Sequence, residues 1–386
     1  MPAAPSTSRS SKPLAPAAKA SAETRSPAAV SLTRTRMRSK SATARRTPHL
    51  LRALACAAAA WLSTGCYLGH LAAGQARLLL RREAFDTVLA DPATTPDLAE
   101  RLHLATDVRA FARELGLDVG TQYTSYVDWP GDRVVTTIVA TRPGEIEARP
   151  FWFPIVGRVP YKGFFDPALA DREAAALRGD GLDTCVVPVL AYSTLGWRGD
   201  PLTSPLARLA PNRLAETLIH ELLHATVYVG GEPEFNEGLA TFVGEEGAVR
   251  FFARREGDAG ARRERRRVEE DRLVAALLLD YRDRVRALYE RERPGPPRDA
   301  ARQALEQETR DALAALPLET RDPRRTAETV RLNDACQALA GTYQSDLARY
   351  AEALDRLGGD LARFVAEARR AKRSGDPRAQ LFAVGR

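Results

Sequence analysis

The stretch PNRLAETLIHELLHATVYVGGEPEFNEGLATFVGEE, residues 211–246, holds two apolar-periodic segments separated by Gly230-Gly231 and Pro233. In the first, Leu214, Leu218, Leu222 and Ala225 recur at helical spacing, so it reads as a helix that the glycines and the proline stop. Asn212 is placed to cap its start. A second helix is expected from about Glu234 to Phe252, and the short turn sets the two side by side. On the first helix His220 and His224 are four residues apart, so both imidazoles leave one face. Two histidines and a carboxylate make the donor set of a catalytic zinc site, which keeps its fourth position for a water whose pKa falls to about 7. Glu237, at the start of the second helix, is the expected third ligand. Glu221 flanks the ion without binding it, where it can take the water's proton and pass it to a leaving amine.

A blander reading makes these two surface histidines beside an ordinary helical glutamate. The chain has only five histidines, at 49, 70, 103, 220 and 224, and two of them fall at ligand spacing in an otherwise apolar helix, which favours the metal. Glu232, Glu234, Glu245 and Glu246 compete with Glu237. Of these, Glu245 lies about two turns after Glu237 on the same face and is expected to orient a ligand histidine.

The chain's net charge of +7 is misleading. Residues 1–65 carry eleven Lys or Arg against the single acid Glu23, a net of +10, so the remainder is −3. The basicity therefore gives no sign of nucleic-acid binding. A basic run followed by the apolar Ala53–Leu62 resembles an export signal, and that segment is too short to span a bilayer. Leu62-Ser63-Thr64-Gly65-Cys66 resembles a lipobox, with Ser63 where Leu is typical, so Cys66 is expected to carry a lipid. Tyr67 then follows the anchor in place of the Asp that often retains lipoproteins at the inner membrane. The expected location is the periplasmic side of the envelope, lipid-anchored to the outer membrane. Residues 1–36 are rich in Ser, Ala, Pro and Arg and read as disordered; Met37, the only methionine besides Met1, would open a signal of ordinary length.

The expected fold class is α+β, a mainly helical zincin-like domain over 66–386 with a small mixed sheet beside the zinc helix. Within it, 66–130 is a helical opening, 131–253 holds the sheet and zinc helices, and 254–386 is helical. Strand signals fall at Val134–Ala140, Phe151–Val156 and Thr184–Leu190, with a helix at Pro167–Leu177 between the last two. Arg254–Arg293 reads as a long charged helix, followed by helices at about Arg298–Leu316, Thr326–Leu357 and Asp360–Lys372, their charges on solvated faces. Cys185 and Cys336 could pair in an oxidising compartment, but Cys185 lies in an apolar run, which favours two buried thiols. Tyr161 and Tyr192 occupy loops beside the strands; either phenol could donate to a developing oxyanion, and Tyr192 is preferred.

Beyond the histidine pair, five further segments share a pattern: Arg109-Ala110-Phe111-Ala112, Phe153-Pro154-Ile155-Val156-Gly157, Tyr161-Lys162-Gly163-Phe164-Phe165, Ala191-Tyr192-Ser193-Thr194-Leu195-Gly196-Trp197 with Asp200-Pro201, and Phe235-Asn236-Glu237. With them the chain resembles, from about Cys66 to Phe252, the bacterial family of predicted aminopeptidases, lipoprotein-type members of the gluzincin group. Leu332-Asn333-Asp334-Ala335 with Tyr343 is similar to a helix near that family's C-terminus, with Asp334 where a second Asn is expected; Gly238 likewise replaces a small polar residue. The resemblance implies a Zn2+ cofactor on His220, His224 and Glu237, Glu221 as catalytic base, and a peptide substrate. It alone suggests an aminopeptidase; Glu173, Asp166 and Asp200 are the carboxylates that could hold a substrate's free amine. The competing reading is a noncatalytic envelope lipoprotein that binds peptides on the same fold, and an intact Glu221 counts against it.

Overall fold

The computed structural model describes residues 67–153, 157–190, 199–340 and 346–385. Helix α1 covers 67–80, followed by β1 (Glu83–Ala84), α2 (Phe85–Ala90) and α3 (Pro96–Glu114). Strands β2 (Ser125–Val127), β3 (Val135–Thr141), β4 (Phe151–Phe153), β5 (Gly157–Val159) and β6 (Lys162–Phe164) precede α4 (Pro167–Gly179), β7 (Asp183–Val189), β8 (Leu202–Thr203) and α5 (Ser204–Ala207). Then come α6 (Pro211–Thr226) and α7 (Pro233–Arg291), and after them α8 (Pro296–Ala314), α9 (Pro323–Thr329), α10 (Asp334–Gln337), α11 (Leu347–Arg356), α12 (Leu361–Ala371) and α13 (Pro377–Phe382). The fold is α+β and mostly helical, with small sheets of two or three strands.

Local sequence sets many of these boundaries. Thr95, Asp166, Asp322 and Asp376 each accept a backbone N–H from the first turn of a helix whose first residue is proline. The proline lacks only an N–H that has no helical partner, and the capping oxygen satisfies another. Asn212 does not cap α6 as expected. It lies inside the helix, after Pro211, and its amide donates to Glu264 on α7 at 3.1 Å.

The strands form an antiparallel sheet ordered β6-β3-β7, a mixed sheet ordered β1-β2-β8, and the hairpin β4–β5. Strand β3 is central and wholly buried, matching its continuous run of Val, Thr, Ile and Ala. Outside β7 lies the segment before α10: Arg331 and Asn333 donate to the carbonyls of Val186 and Thr184. Cys185 and Cys336 form a disulfide there, with Cα atoms 4.9 Å apart, so these two residues are paired and not free thiols. β7 presents Cys185 toward α10, which the sequence cannot show because the partner is 151 residues away.

The main core joins α3, α6, the first part of α7 and α11–α13. On α6, Leu214, Leu218, Ile219, Leu222 and Leu223 are fully buried, each worth about 1.5–3 kcal/mol of transfer free energy. Helix α7 reverses at Gly257, where φ is +69°, a conformation that suits only glycine. Contacts of Arg265 with Glu246 and Arg272 with Glu245 carry the second limb back along the first. The charges of that limb are not all on a solvated face. Glu264, Arg267 and Glu270 are buried, with Arg267 bridging Glu216 of α6, Glu264 and Asp271. Glu264 and Arg267 are thus paired, whereas Glu270 accepts hydrogen bonds from the N–H groups of Glu319 and Thr320 and from the Thr320 hydroxyl, which satisfy its buried charge. The expected helix over Thr326–Leu357 is instead α9, α10 and α11; Val330 is extended (ψ 135°) and Asp346 left-handed (φ 62°).

Candidate metal centre

Two histidines reach the site from the second half of α6, and the carboxylate comes from the first turns of α7. The connection, residues 227–232, turns through Gly231 at φ +83° and is held by Asn236. That buried amide donates to Val229 O and accepts from Val229 N, both at 2.8 Å, clamping the turn to the residue before Glu237. Further along, α7 approaches α6 through Gly244: a Cβ there would lie 3.0 Å from Glu216 O and 3.3 Å from His220 Cβ. Gly247 meets Ile219 in the same way, against side-chain atoms at 3.0 Å. Asn236 and Gly244 therefore fix the distance between the helices at either end of the site. In the sequence Asn236 stands out only as part of the Phe235-Asn236-Glu237 segment, without a role, and Gly244 does not, although Gly244-Glu245-Glu246-Gly247 in a helical run is a usable sign of close packing.

The His220 and His224 Nε2 atoms are 3.1 Å apart, and Glu237 Oε2 is 3.5 Å from each. A tetrahedral centre with ligands at about 2.0–2.1 Å has ligand–ligand separations of about 3.3 Å, so these three atoms fit a zinc ion. They are the one group of three such donors that converges among the described residues. Burial pulls the His220 imidazolium toward losing its proton, but Glu237, Glu221 and Glu216 outweigh it and raise its pKa. Burial likewise opposes ionisation of Glu237, yet the two histidines lower its carboxyl to about 2. The carboxylate is thus an anion at any pH at which the protein would work. His224 Nδ1 is buried and has no hydrogen-bond partner among the described residues.

Glu245 does not orient a histidine. Its side chain accepts two hydrogen bonds from Arg272 at 2.9 and 2.7 Å, across the reversal at Gly257. Burial outweighs Arg272 and, with the nearby Glu216 and Asp271, lifts this carboxyl to about 7.

Two tyrosines feel the charges of the centre. Tyr161 is half-exposed, and its pKa is raised by burial, by Glu237 and by Tyr228. Tyr123 is fully buried at φ 53°, a strained position for a tyrosine, and burial with the charges of Glu221 and Asp200 holds its phenol neutral. Tyr123 was not singled out from the sequence, and nothing local marks it. Tyr192, the expected oxyanion donor, and Cys66, the expected acylation site, lie outside the described residues. Of the three candidate amine anchors, Glu173 pairs with Lys162 at 2.9 Å and Asp166 caps α4, while Asp200 shares Tyr123 as a neighbour with Glu221. A cleft of about 660 Å³ lies elsewhere, between Arg178, Asp183, Arg298 and Arg302, and none of the three donors lines it.

These three donors lie within a stretch of the chain that a comparison with known families covers. The chain belongs to the family described as "Putative aminopeptidase", whose profile matches residues 66–381. No curated protein and no solved structure matches the chain.

Proposed function

We propose that the protein is a zinc-dependent peptidase, an aminopeptidase by family, anchored to the cell envelope through a lipid on Cys66. The convergence of His220, His224 and Glu237 at the edge lengths of a zinc tetrahedron, with Glu221 next in sequence to a ligand, carries this reading. Zinc at these three residues would polarise the scissile carbonyl and acidify a water. Glu221 removes the water's proton and delivers it to the departing amine. Tyr123, buried and held neutral, is a phenol that feels the charge of Glu221. Tyr161, whose phenol feels the charge of Glu237, is a candidate to donate to the oxyanion, and Tyr192 is the other candidate for that role.

Both outer strands of the β6-β3-β7 sheet are engaged from outside: carbonyls of β7 by Arg331 and Asn333, and on β6 the carbonyl of Gly163 by Tyr67, with the N–H of Phe165 just after it donating to His70. The Cys185–Cys336 disulfide suits an oxidising compartment and so supports export.

Glu221→Gln tests the mechanism. The variant is expected to bind one zinc per chain, measured by atomic absorption, and to lose activity by at least about 10²-fold, the usual share of a general base. Full turnover by this variant would refute the assignment. A panel of free-amine and N-blocked peptides then distinguishes an exopeptidase from an endopeptidase.

A further inference from the structure

The described residues begin with the one that follows the candidate acylation site. Tyr67 is already helical and its side chain is built into the fold. Its hydroxyl donates to Gly163 O at 2.8 Å, and its ring stacks on Phe153 at a centroid distance of 5.5 Å. The same ring meets Phe164 edge-on at 5.4 Å and carries Lys162 Nζ 4.8 Å above its face. A lipid on Cys66 would therefore have no flexible tether. One peptide unit, about 3.8 Å between Cα atoms, would separate the acylated residue from an ordered one, where a disordered linker of n residues reaches about 5–6 Å × √n. Whatever surrounds Tyr67 must then meet the bilayer.

What surrounds it is the β4–β5 hairpin. Phe151 packs into the cluster that contains Phe164, and Phe153 lies on Tyr67, so the alternation of a strand turns Trp152 and its cross-strand partner Arg158 to the other face. Trp152 is 66% exposed, the most exposed aromatic side chain among the described residues, and Arg158 is exposed beside it. An exposed tryptophan next to an arginine is costly in water and well suited to a headgroup layer, where the indole sits at the interface and the guanidinium meets phosphate.

We propose that the outer face of this hairpin, Trp152 with Arg158, docks in the phospholipid headgroup layer directly beside the anchor, an inference that rests on acylation of Cys66. The domain is then held against the membrane in one orientation and does not swing on a tether. Lys162, over the Tyr67 ring, is next in the chain to Tyr161, whose phenol feels the charge of Glu237.

The full chain, produced in a bacterial host with a clickable fatty acid, reports acylation of Cys66 against a Cys66→Ser control. The purified lipoprotein is then reconstituted into phosphatidylethanolamine–phosphatidylglycerol vesicles whose acyl chains carry bromine near the headgroup, and tryptophan emission is read. Trp61 leaves with the signal, Trp129 is buried, and Trp197 is common to every variant. Bromine is expected to quench the wild type, and Trp152→Phe, which changes only an exposed side chain, is expected to lose that quenching while keeping its acyl label and melting temperature. Equal quenching in the two acylated proteins would overturn the docking and leave the anchor standing. An unlabelled Cys66 would overturn both.

Discussion

Substituting Gly244 by alanine should loosen the metal centre from a distance. The new methyl would lie 3.0 Å from the carbonyl oxygen of Glu216 and 3.3 Å from His220 Cβ, where ordinary contacts begin at 3.4 Å. The obstacle is helix backbone, so α7 must move off α6 by about 0.4 Å, twice the roughly 0.2 Å tolerance of a metal–ligand distance. Helix propensity favours the alanine by about 1 kcal/mol, and overpacking opposes it by about 1–3 kcal/mol, so the net loss of stability is expected to be modest. The loss of zinc affinity is expected to be larger, about 10–100-fold, as for other residues that position metal ligands. Competition against a chromophoric chelator measures the affinity, and thermal melting of the metal-free protein measures the fold. Gly247→Ala is the internal control, because its methyl meets only side-chain atoms of Ile219 and neither backbone nor a ligand residue. Unchanged zinc affinity in Gly244→Ala, or an equal loss in both variants, would refute the argument that this contact sets the position of Glu237.

Three further outcomes follow from the structure. Asn236→Ala removes both hydrogen bonds to Val229 and should cost about 2–3 kcal/mol with at least a tenfold loss of zinc affinity; Asn236→Asp should do worse, since its carboxylate faces Val229 O. Glu245 is an acid whose folded pKa, about 7, lies above the ordinary carboxyl value of 4.5. Its contribution to stability is therefore complete below about pH 4.5 and is lost as pH rises through 7, by up to about 3 kcal/mol. Chemical denaturation of wild type and Glu245→Gln across that window should show the wild type losing stability relative to the variant as pH rises, and parallel profiles would refute it. Breaking the Cys185–Cys336 bridge with a Cys336→Ser variant frees a long loop and should cost up to about 5 kcal/mol, read as a lower denaturation midpoint.

What the sequence revealed depends on how far each contact reaches. His220, His224 and Glu237 belong to one helical hairpin, and helix spacing, the two glycines and Pro233 place them without knowledge of the rest of the chain. Glu245 was put on the correct face but given the wrong partner, because Arg272 arrives only through the reversal at Gly257. The run from Arg324 to Ala340 contains neither Gly nor Pro and reads as helix, yet Arg331 and Asn333 reach across to the carbonyls of β7 and hold their backbone out of it. Tyr123 meets the centre only through tertiary folding and no local pattern distinguishes it, whereas Tyr161 is visible in the sequence as one of two candidate phenols beside the strands. The donors of such a site are thus legible where one hairpin supplies them all. The groups that tune those donors come from several elements, so their identity is a property of the fold. It follows that Glu221→Gln tests chemistry already written in the local sequence, whereas Gly244→Ala and Asn236→Ala test whether the surrounding helices hold the donors in place.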